Sequence, residues 1–218
     1  MECLSGPKAH AVCYVLKGTA LYNIVLICPD NLPPGTNIAP AEPAEIRAAF
    51  NDWDPRLQNL LEIAVNEQQS QLSSPSSTSD CHGKATTQLS TSVTKRATFQ
   101  KWRLQNSREL ATWTHPSGTF TLLGDSCHAT LPYLAQGAAM AVEDADVLGL
   151  LVAKMTDKSQ LPDILRMYEQ LRKPRTTRLV LASTDQQRVF HMPDGAQQQE
   201  RDKVMQAYQA AAPERQGF

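Results

Sequence analysis

One stretch of the sequence, GDSCHATLPYLAQGAAMAVEDADVLG at residues 124–149, constrains the fold more than any other. β-forming residues at 118–123 predict a short strand just before it, which the Gly-Asp pair ends. From Gln136 the apolar residues recur at helical spacing, and the first turn of this helix carries almost no side chains. The stretch therefore predicts a strand, a loop that holds His128 and Pro132, and a helix that begins with small residues.

Such a corner can bind a ligand. The first amides of a helix have no partner within the helix, and the helix dipole favours an anionic or acceptor-rich group beside them. The small residues Gly137, Ala138 and Ala139 would let a flat ligand approach these amides directly. An acidic residue after a strand, here Asp125, can accept hydrogen bonds from sugar-like hydroxyls. The pattern predicts a ligand clamp; the structural alternative is an ordinary corner in which Asp125 caps the loop.

The bulk properties exclude several classes of partner. A formal net charge of −1 gives no electrostatic reason to expect nucleic acid or an anionic membrane. Five cysteines without a CxxC pair argue against a disulfide framework or a zinc knuckle and favour a reducing compartment. The sequence contains no apolar run of about 18 residues that could span a membrane, and its first residues lack the apolar core of a signal peptide. We therefore expect no nucleic-acid or membrane partner and a cytoplasmic location.

The first part of the chain, residues 1–65, opens with a predicted β-hairpin. β-forming residues at 10–16 and 21–27 flank a Lys-Gly-Thr turn. His10 and Tyr14 share one face of the first strand, because side chains alternate along a strand. After a proline-punctuated loop, the pattern predicts two helices, at residues 44–51 and at residues 55–65 behind an Asp54 N-cap.

Residues 66–99 differ sharply in composition from the rest. More than half of the positions between 70 and 94 are Ser or Thr, without apolar periodicity, so we predict a disordered insertion. Cys81 and His82 lie inside it, but no partner ligands occur at workable spacing, and we expect no metal site.

Residues 100–190 contain the predicted clamp and further helical segments. A helix is predicted from about residue 162 to residue 173, where Pro174 bends or ends it before a further helical stretch. The last part, residues 191–218, is polar and rich in Gln, which predicts a loose tail.

Residues 124–149 closely resemble the second flavin-binding motif of the FAD-dependent aromatic-ring hydroxylases, the group A flavoprotein monooxygenases. Within that family they are most similar to the salicylate hydroxylase-like and 6-hydroxynicotinate monooxygenase-like branch, whose members typically read GDA-x-H-x-x-x-P-x-x-x-QGA-x-x-x-x-EDA-x-x-L. The matching residues here are Gly124, Asp125, His128, Pro132, Gln136, Gly137, Ala138, Glu143, Asp144, Ala145 and Leu148. The resemblance extends back through GPKAHAVCYVLKGTALYNIVLICPD and forward through YEQLRKPRTTRL.

The resemblance implies a role for each of these positions. Asp125, next to Gly124, would bind the ribityl chain of FAD, and Pro132 would lie over the isoalloxazine ring as the candidate catalytic position. The pyrimidine end of the flavin would be held by the backbone of Gln136, Gly137, Ala138 and Ala139. His10 and Tyr14 would line the aromatic substrate pocket.

Three side chains, Tyr14, His128 and Cys127, have alternative interpretations. Tyr14 could instead be a half-buried tyrosine of the sheet. For His128 a hydrogen bond that fixes the loop is favoured over catalysis. Cys127 beside His128 could suggest a nucleophile, but no oxyanion-binding arrangement accompanies it.

The implied fold is α/β, a partial FAD/NAD(P)-binding (glutathione-reductase-like) fold with a remnant of the mixed β-sheet substrate domain. No GxGxxG motif occurs in the sequence. Because family members begin with such a motif, we expect the N-terminal Rossmann βαβ unit to be missing and the chain to correspond to the C-terminal portion.

The implied activity is FAD-dependent hydroxylation of a small aromatic substrate, with O₂ as oxidant and NAD(P)H as electron donor. The alternative is a non-catalytic remnant, or a partner subunit whose fold is completed by another chain.

Overall fold

The structure is a computed structural model, and it describes three stretches of the chain: residues 2–16, 21–72 and 99–211. The predicted mixture of helix and sheet is present, and every strand pairing within these stretches is antiparallel. Most of the predicted Ser/Thr-rich insertion, including Cys81 and His82, lies outside the described residues. The chain forms two compact units: Met1–Arg103 with Phe190–Phe218, and Leu104–Val189.

The first unit contains a three-stranded antiparallel sheet of β1 (Glu2–Gly6), β2 (Ala9–Leu16) and β3 (Leu21–Ile27). The two predicted strands of the hairpin are confirmed as β2 and β3, which pair from His10 opposite Ile27 to Leu16 opposite Leu21. The predicted Lys-Gly-Thr turn lies outside the described residues. The sequence does not predict β1, because ECLSG contains no run of β-forming residues. Pairing with β2 holds this strand in place.

One face of this sheet packs on two helices, α1 (Pro43–Ala49) and α2 (Pro55–Leu72). The alternation of the strands sends Ala11 and Cys13 of β2 to this face, while His10 and Tyr14 lie on the other. The buried core consists of Ala9, Ala11, Cys13, Phe50, Leu57 and Leu61.

Helix α2 begins as predicted and ends later than predicted. Asp54 Oδ1 accepts a hydrogen bond from the Arg56 amide at 2.8 Å, which confirms its capping role. The helix continues past Val65 to Leu72 and so enters the segment predicted to be disordered. Residues 66–72 contain no Gly or Pro to stop the helix and are rich in Gln and Glu, which favour it.

The proline-punctuated loop is closed by a second, two-stranded sheet of β4 (Ile38–Pro40) and β5 (Gln100–Trp102). Two ion pairs reinforce this connection. Lys101 Nζ lies 2.7 Å from Glu45 Oε1, and Arg103 Nε lies 2.6 Å from Asp30 Oδ2.

The second unit is mainly helical, with α3 (Asp125–His128), α4 (Gly137–Ala153) and the body of α5 (Leu161–Phe190). Short 3₁₀ turns precede α4 and α5, at Pro132–Leu134 and Lys158–Gln160. The start of α4 at residue 137 agrees with the predicted small-residue helix. The core of the second unit is formed by Trp113, Cys127 and Tyr168, with Leu122, Val147, Leu148 and Leu151 packed around them.

The strand predicted at residues 118–123 is absent; this segment forms a tight turn with one isolated bridge, between Thr114 and Thr121. Gly118 adopts φ 68° and donates its amide to His115 O at 2.8 Å, which reverses the chain before a strand can extend. Asp125 therefore begins a short helix instead of ending a strand.

Pro174 does not break the helix that contains it. Helix α5 runs through it as one helix of 30 residues. Buried residues on both sides of the proline, Arg172 and Thr176, fix the helix to the interior of the unit, and these contacts outweigh the lost amide donor.

The C-terminal segment is not a loose tail over its described part, since Ala196–Ala211 forms helix α6 in the first unit. Ala, Gln, Glu and Lys dominate this sequence and are good helix formers whatever their polarity. Arg201 ties the helix to the end of α5 by donating to Phe190 O at 3.3 Å. None of the helices within the described stretches is both long and apolar enough to cross a membrane.

Replacing Gly118 with alanine should destabilise the second unit strongly. A Cβ at this position would lie 2.5 Å from Pro162 Cβ, and φ 68° is unfavourable for any residue with a Cβ. We expect Gly118→Ala to lower the free energy of unfolding by about 2–4 kcal/mol in urea denaturation.

The matched control for Gly118→Ala is Gly149→Ala in the same unit. Gly149 lies within α4, and an added Cβ there would meet nothing within 4 Å. Because alanine favours a helix over glycine, this change should stabilise the unit by about 0.5–1 kcal/mol. Equal effects of the two substitutions would contradict the proposed backbone constraint at Gly118.

Candidate functional site

The turn at residues 124–128 presents Asp125 to solvent. Gly124 has φ 60° and ψ −144°, a conformation that residues with a Cβ rarely adopt, and its carbonyl accepts the amides of Cys127 and His128, each at 3.1 Å. Ser126 Oγ donates to Leu123 O at 2.6 Å and closes the other side of the turn. Asp125 is exposed, and its carboxylate makes no hydrogen bond within the described residues, so it does not cap the turn.

Behind this turn lies a buried carboxylate, that of Asp144 on α4, which is 0 % exposed. Its Oδ2 accepts the Gly124 amide at 2.9 Å and lies 2.5 Å from His128 Nε2, which donates to it. Its Oδ1 accepts from Arg172 Nε at 2.7 Å. Burial alone would raise the pKa of Asp144, but the hydrogen bonds from His128, Arg172 and Gly124 together hold it below its ordinary value.

A second acidic residue of α4, Glu143, extends this network towards solvent. Glu143 accepts from Arg175 Nε at 2.6 Å and from Arg172 Nη2 at 2.8 Å. The hydrogen bond from Arg175 is the main cause that lowers the pKa of Glu143 to about 2; the bond from Arg172 adds to it. Helices α4 and α5 are therefore joined by two carboxylates and two guanidinium groups.

Sequence reasoning missed the role of Asp144. Of the acidic residues of α4, Asp146 is exposed and Asp144 is buried. The available signal was the acidic pair Glu143-Asp144 within the motif, since one of two adjacent acids on a mostly apolar helix must face away from the other.

His128 and Cys127 have structural roles. The favoured interpretation of His128, a hydrogen bond that fixes the loop, is confirmed by its contact with Asp144, and its ring lies 5.4 Å from that of Trp113. Cys127 donates its thiol to Gly124 O at 3.4 Å. Burial, together with the nearby charge of Asp144, raises the pKa of Cys127 to about 12, so the thiol is a poor nucleophile.

At the start of α4, the first backbone donors have no hydrogen-bond partner within the described residues. Met140 N donates to Gln136 O at 2.9 Å, and the amides of Gly137, Ala138 and Ala139 precede this first intrahelical bond. Ala138 and Ala139 are exposed. Small side chains and unused amides at one helix end suit a flat ligand with acceptor atoms.

Pro132 is exposed between two fixed neighbours, just before the helix. The carbonyl of Leu131 accepts a hydrogen bond from Ser183 Oγ at 2.6 Å, and Tyr133 is buried. Ala135, at φ 52°, donates its amide back to Pro132 O at 3.0 Å. The backbone on both sides of Pro132 is thus anchored while its ring faces outward.

The predicted cofactor-binding residues, from Gly124 to Ala139, all lie in the second unit, whereas His10 and Tyr14 lie in the first. His10 is 2 % exposed, with Nδ1 2.8 Å from His191 Nε2 and its ring 5.3 Å from that of Phe190. Tyr14 is half-buried in β2, opposite Asn23 of β3. Their role in lining a substrate pocket stays a prediction.

A sequence model of the family described as FAD binding domain matches residues 40–183. The chain belongs to this FAD-binding-domain family. It is 39 % identical over 204 residues to the FAD-dependent monooxygenase OpS4 of Beauveria bassiana, with 94 % of this chain and 40 % of that protein covered. It is 27 % identical over 186 residues to the 3-hydroxybenzoate 6-hydroxylase of Polaromonas naphthalenivorans, covering 85 % and 38 %. The chain therefore spans about 40 % of the length of such relatives.

Two solved structures agree with this FAD-binding-domain fold. A salicylate hydroxylase substrate complex superposes with a TM-score of 0.68 at 19 % identity, covering 95 % of this chain and 44 % of that one. Klebsiella pneumoniae HpxO, complexed with FAD and uric acid, gives a TM-score of 0.63 at 21 % identity, covering 94 % and 42 %. At these identities the likeness supports the fold alone.

The buried His10–His191 pair should make the first unit acid-sensitive. Burial, and secondarily the adjacent His191, lowers the pKa of His10 to about 4 from 6.5. The folded state therefore favours the neutral ring, and its stability is complete above pH 6.5 and falls as the pH drops towards 4. As the pH is lowered from 7 to 4.5, we expect this residue to decrease the free energy of unfolding by roughly 2–3 kcal/mol.

The measurement is urea unfolding of the first unit across this pH range for wild type and His10→Phe. The phenylalanine keeps an aromatic ring beside Phe190 but cannot be protonated, so its stability should depend less on pH over that range. Identical pH dependence in the two proteins would refute the assignment to His10.

Proposed function

We propose that this chain holds the flavin of an FAD-dependent monooxygenase that hydroxylates a small aromatic substrate with O₂ and NAD(P)H. The observation that carries the proposal is the second unit's arrangement of an exposed, unpaired Asp125 carboxylate and the unused amides at the start of α4, in a chain of the FAD-binding-domain family.

The residues present suit FAD in chemistry. The Asp125 carboxylate can accept hydrogen bonds from two ribityl hydroxyls. The amides of Gly137, Ala138 and Ala139, next to Gln136, can donate to the carbonyl and nitrogen acceptors of the pyrimidine ring. Pro132 offers an apolar surface without a backbone donor, which suits packing against a flat aromatic ring.

FAD, when bound, would supply the oxygen-transfer chemistry, and the protein's task would be positioning and electrostatics. The positive end of the α4 dipole favours negative charge at the pyrimidine end of the flavin. Pro132, held by the anchored residues on both sides, would exclude water from one face of the ring. Asp125 would fix the ribityl chain and thereby the position of the ring along the helix axis.

The substrate class is proposed from the relatives' names. They include a 3-hydroxybenzoate 6-hydroxylase and a 3-amino-4-hydroxybenzoate 2-monooxygenase, each named for a benzoate that carries a ring hydroxyl. We propose a ring-hydroxylated aromatic acid or a similarly electron-rich ring for this protein, with His10 and Tyr14 as candidate pocket residues. A cytoplasmic location is favoured by Cys3 and Cys28, which are free and exposed thiols.

An interaction partner is the second candidate function. Helix α4 is apolar around much of its circumference, yet Val142 is 69 % and Leu150 is 58 % exposed. Exposed apolar positions on such a helix favour a further polypeptide segment that covers them. Co-purification of a second chain with a colourless, flavin-free protein would favour this alternative over the monooxygenase.

Asp125→Ala should release FAD while leaving the fold intact. A hydrogen bond to a charged acceptor contributes about 1.5–3 kcal/mol, so its loss should weaken FAD binding roughly 10- to 150-fold. Because Asp125 caps nothing, the melting temperature without ligand should not change. FAD affinity is measured by quenching of flavin fluorescence, in a fusion that adds the remaining region of the 39 % identical relative.

Asp146→Ala is the matched control, since Asp146 is also an exposed aspartate of the second unit. It should alter neither FAD affinity nor melting temperature. Unchanged affinity with a lowered melting temperature in Asp125→Ala would show that Asp125 is structural and would remove it from the flavin site.

A further inference from the structure

We propose that Asp144 is a positioning residue of the flavin site, which holds the Gly124–His128 turn in the one arrangement that presents Asp125 outward. The inference rests on the proposed function for its ligand, but the contacts that carry it are independent of the ligand. Asp144 is not exposed and would not touch FAD itself.

The first step is the cost of burying this carboxylate. A buried ionised group is costly unless its oxygens accept enough hydrogen bonds, and an apolar side chain at the same place is often no less stable. Two of the three donors to Asp144, Gly124 and His128, lie at the two ends of the same turn, and the third, Arg172, lies on α5. Such a group is better explained by the arrangement that it enforces than by the stability that it adds.

The second step is the conformation of Gly124. At φ 60° and ψ −144° this residue lies in a region that glycine alone populates readily, and the peptide could rotate into many alternatives. The hydrogen bond from its amide to Asp144 Oδ2 at 2.9 Å selects one of them. Asp125 is the next residue, so the direction of its side chain depends on this choice.

The third step is the second attachment point of the turn. His128 at the end of α3 donates to the same Oδ2 atom that accepts the Gly124 amide. One oxygen thus holds both ends of the five-residue turn, and Asp125 lies between them. Arg172 donates to the other oxygen and fixes the carboxylate relative to α5. The turn is therefore held in position relative to both α4 and α5.

The substitution that tests the proposal is Asp144→Asn. Asparagine has nearly the same shape, but it replaces one acceptor oxygen by an NH₂ group that must face a donor, either at Arg172 or at the turn. Amide hydrogen exchange of the 218-residue chain, followed by NMR without flavin, reports the turn directly. We expect exchange at Gly124 to accelerate at least about tenfold, and exchange at Leu165 of α5 to change less than about twofold.

The control is Asp146→Asn, an exposed position on the same helix, which should leave both amides unchanged. If Asp144→Asn leaves Gly124 protected, or accelerates exchange equally throughout the unit, the positioning role is overturned. This readout needs no FAD, so it decides the role of Asp144 even if wild type fails to bind flavin. A failure of the wild-type fusion to bind FAD would instead refute the proposed function.

Coupling to Asp125 is measured by titrating the fusion described above with FAD and following the amides of Gly137, Ala138 and Ala139. Asp144→Asn should weaken binding at least about tenfold when Asp125 is present, but no more than about twofold in the Asp125→Ala background. Equal losses in both backgrounds would mean that Asp144 acts without Asp125, which contradicts the proposal.

His128 provides a milder pair of variants in case Asp144→Asn does not fold. His128→Leu removes one donor and should loosen the turn, with faster Gly124 exchange. His128→Gln retains an N–H donor and should restore at least half of the lost protection. A lack of effect of His128→Leu, or a failure of His128→Gln to restore protection, would overturn the proposed two-point attachment.

Discussion

The second unit depends on one buried carboxylate. Asp144 accepts hydrogen bonds from the backbone amide of Gly124, the imidazole of His128 and the guanidinium group of Arg172. The 124–128 turn and α5 are therefore both attached to one side chain of α4. Without such donors a buried carboxylate would be protonated or expelled to water. The same contacts that make its burial tolerable therefore determine where the neighbouring exposed groups lie.

The start of α4 contributes a different constraint, which is the absence of large side chains over its first amides. Gly137, Ala138 and Ala139 present almost no side-chain volume, and their amides are not used by the helix. A larger residue would cover these donors, whereas a residue with its own acceptor would satisfy them. Small size at this helix end and a fixed, exposed acid before it are therefore complementary parts of the proposed flavin site.

The sequence predicts the elements of both units well where interactions within a few residues determine the structure. The helix start at residue 137, the hairpin and the Asp54 cap follow from glycine, alternation and capping, which act over a few residues. The strand expected at 118–123 fails because Gly118 reverses the chain against Pro162, a contact 44 positions away along the chain. The sequence does not predict the role of Asp144 for the same reason, since its partner Arg172 is brought against α4 only by the packing of α5.

The two units should also respond differently to acid, because the pKa values of their ionisable groups are lowered over different pH ranges. In the first unit the lowered pKa of His10, about 4, removes stability as the pH falls below 6.5. In the second unit Glu143, with a pKa of about 2, and Asp144, also lowered, favour the ionised form. They contribute stability that is lost as the pH falls from the ordinary carboxylate range towards their own lowered values. A mildly acidic solution should therefore weaken the sheet that carries His10 while the turn that carries Asp125 stays held by its ionised partner.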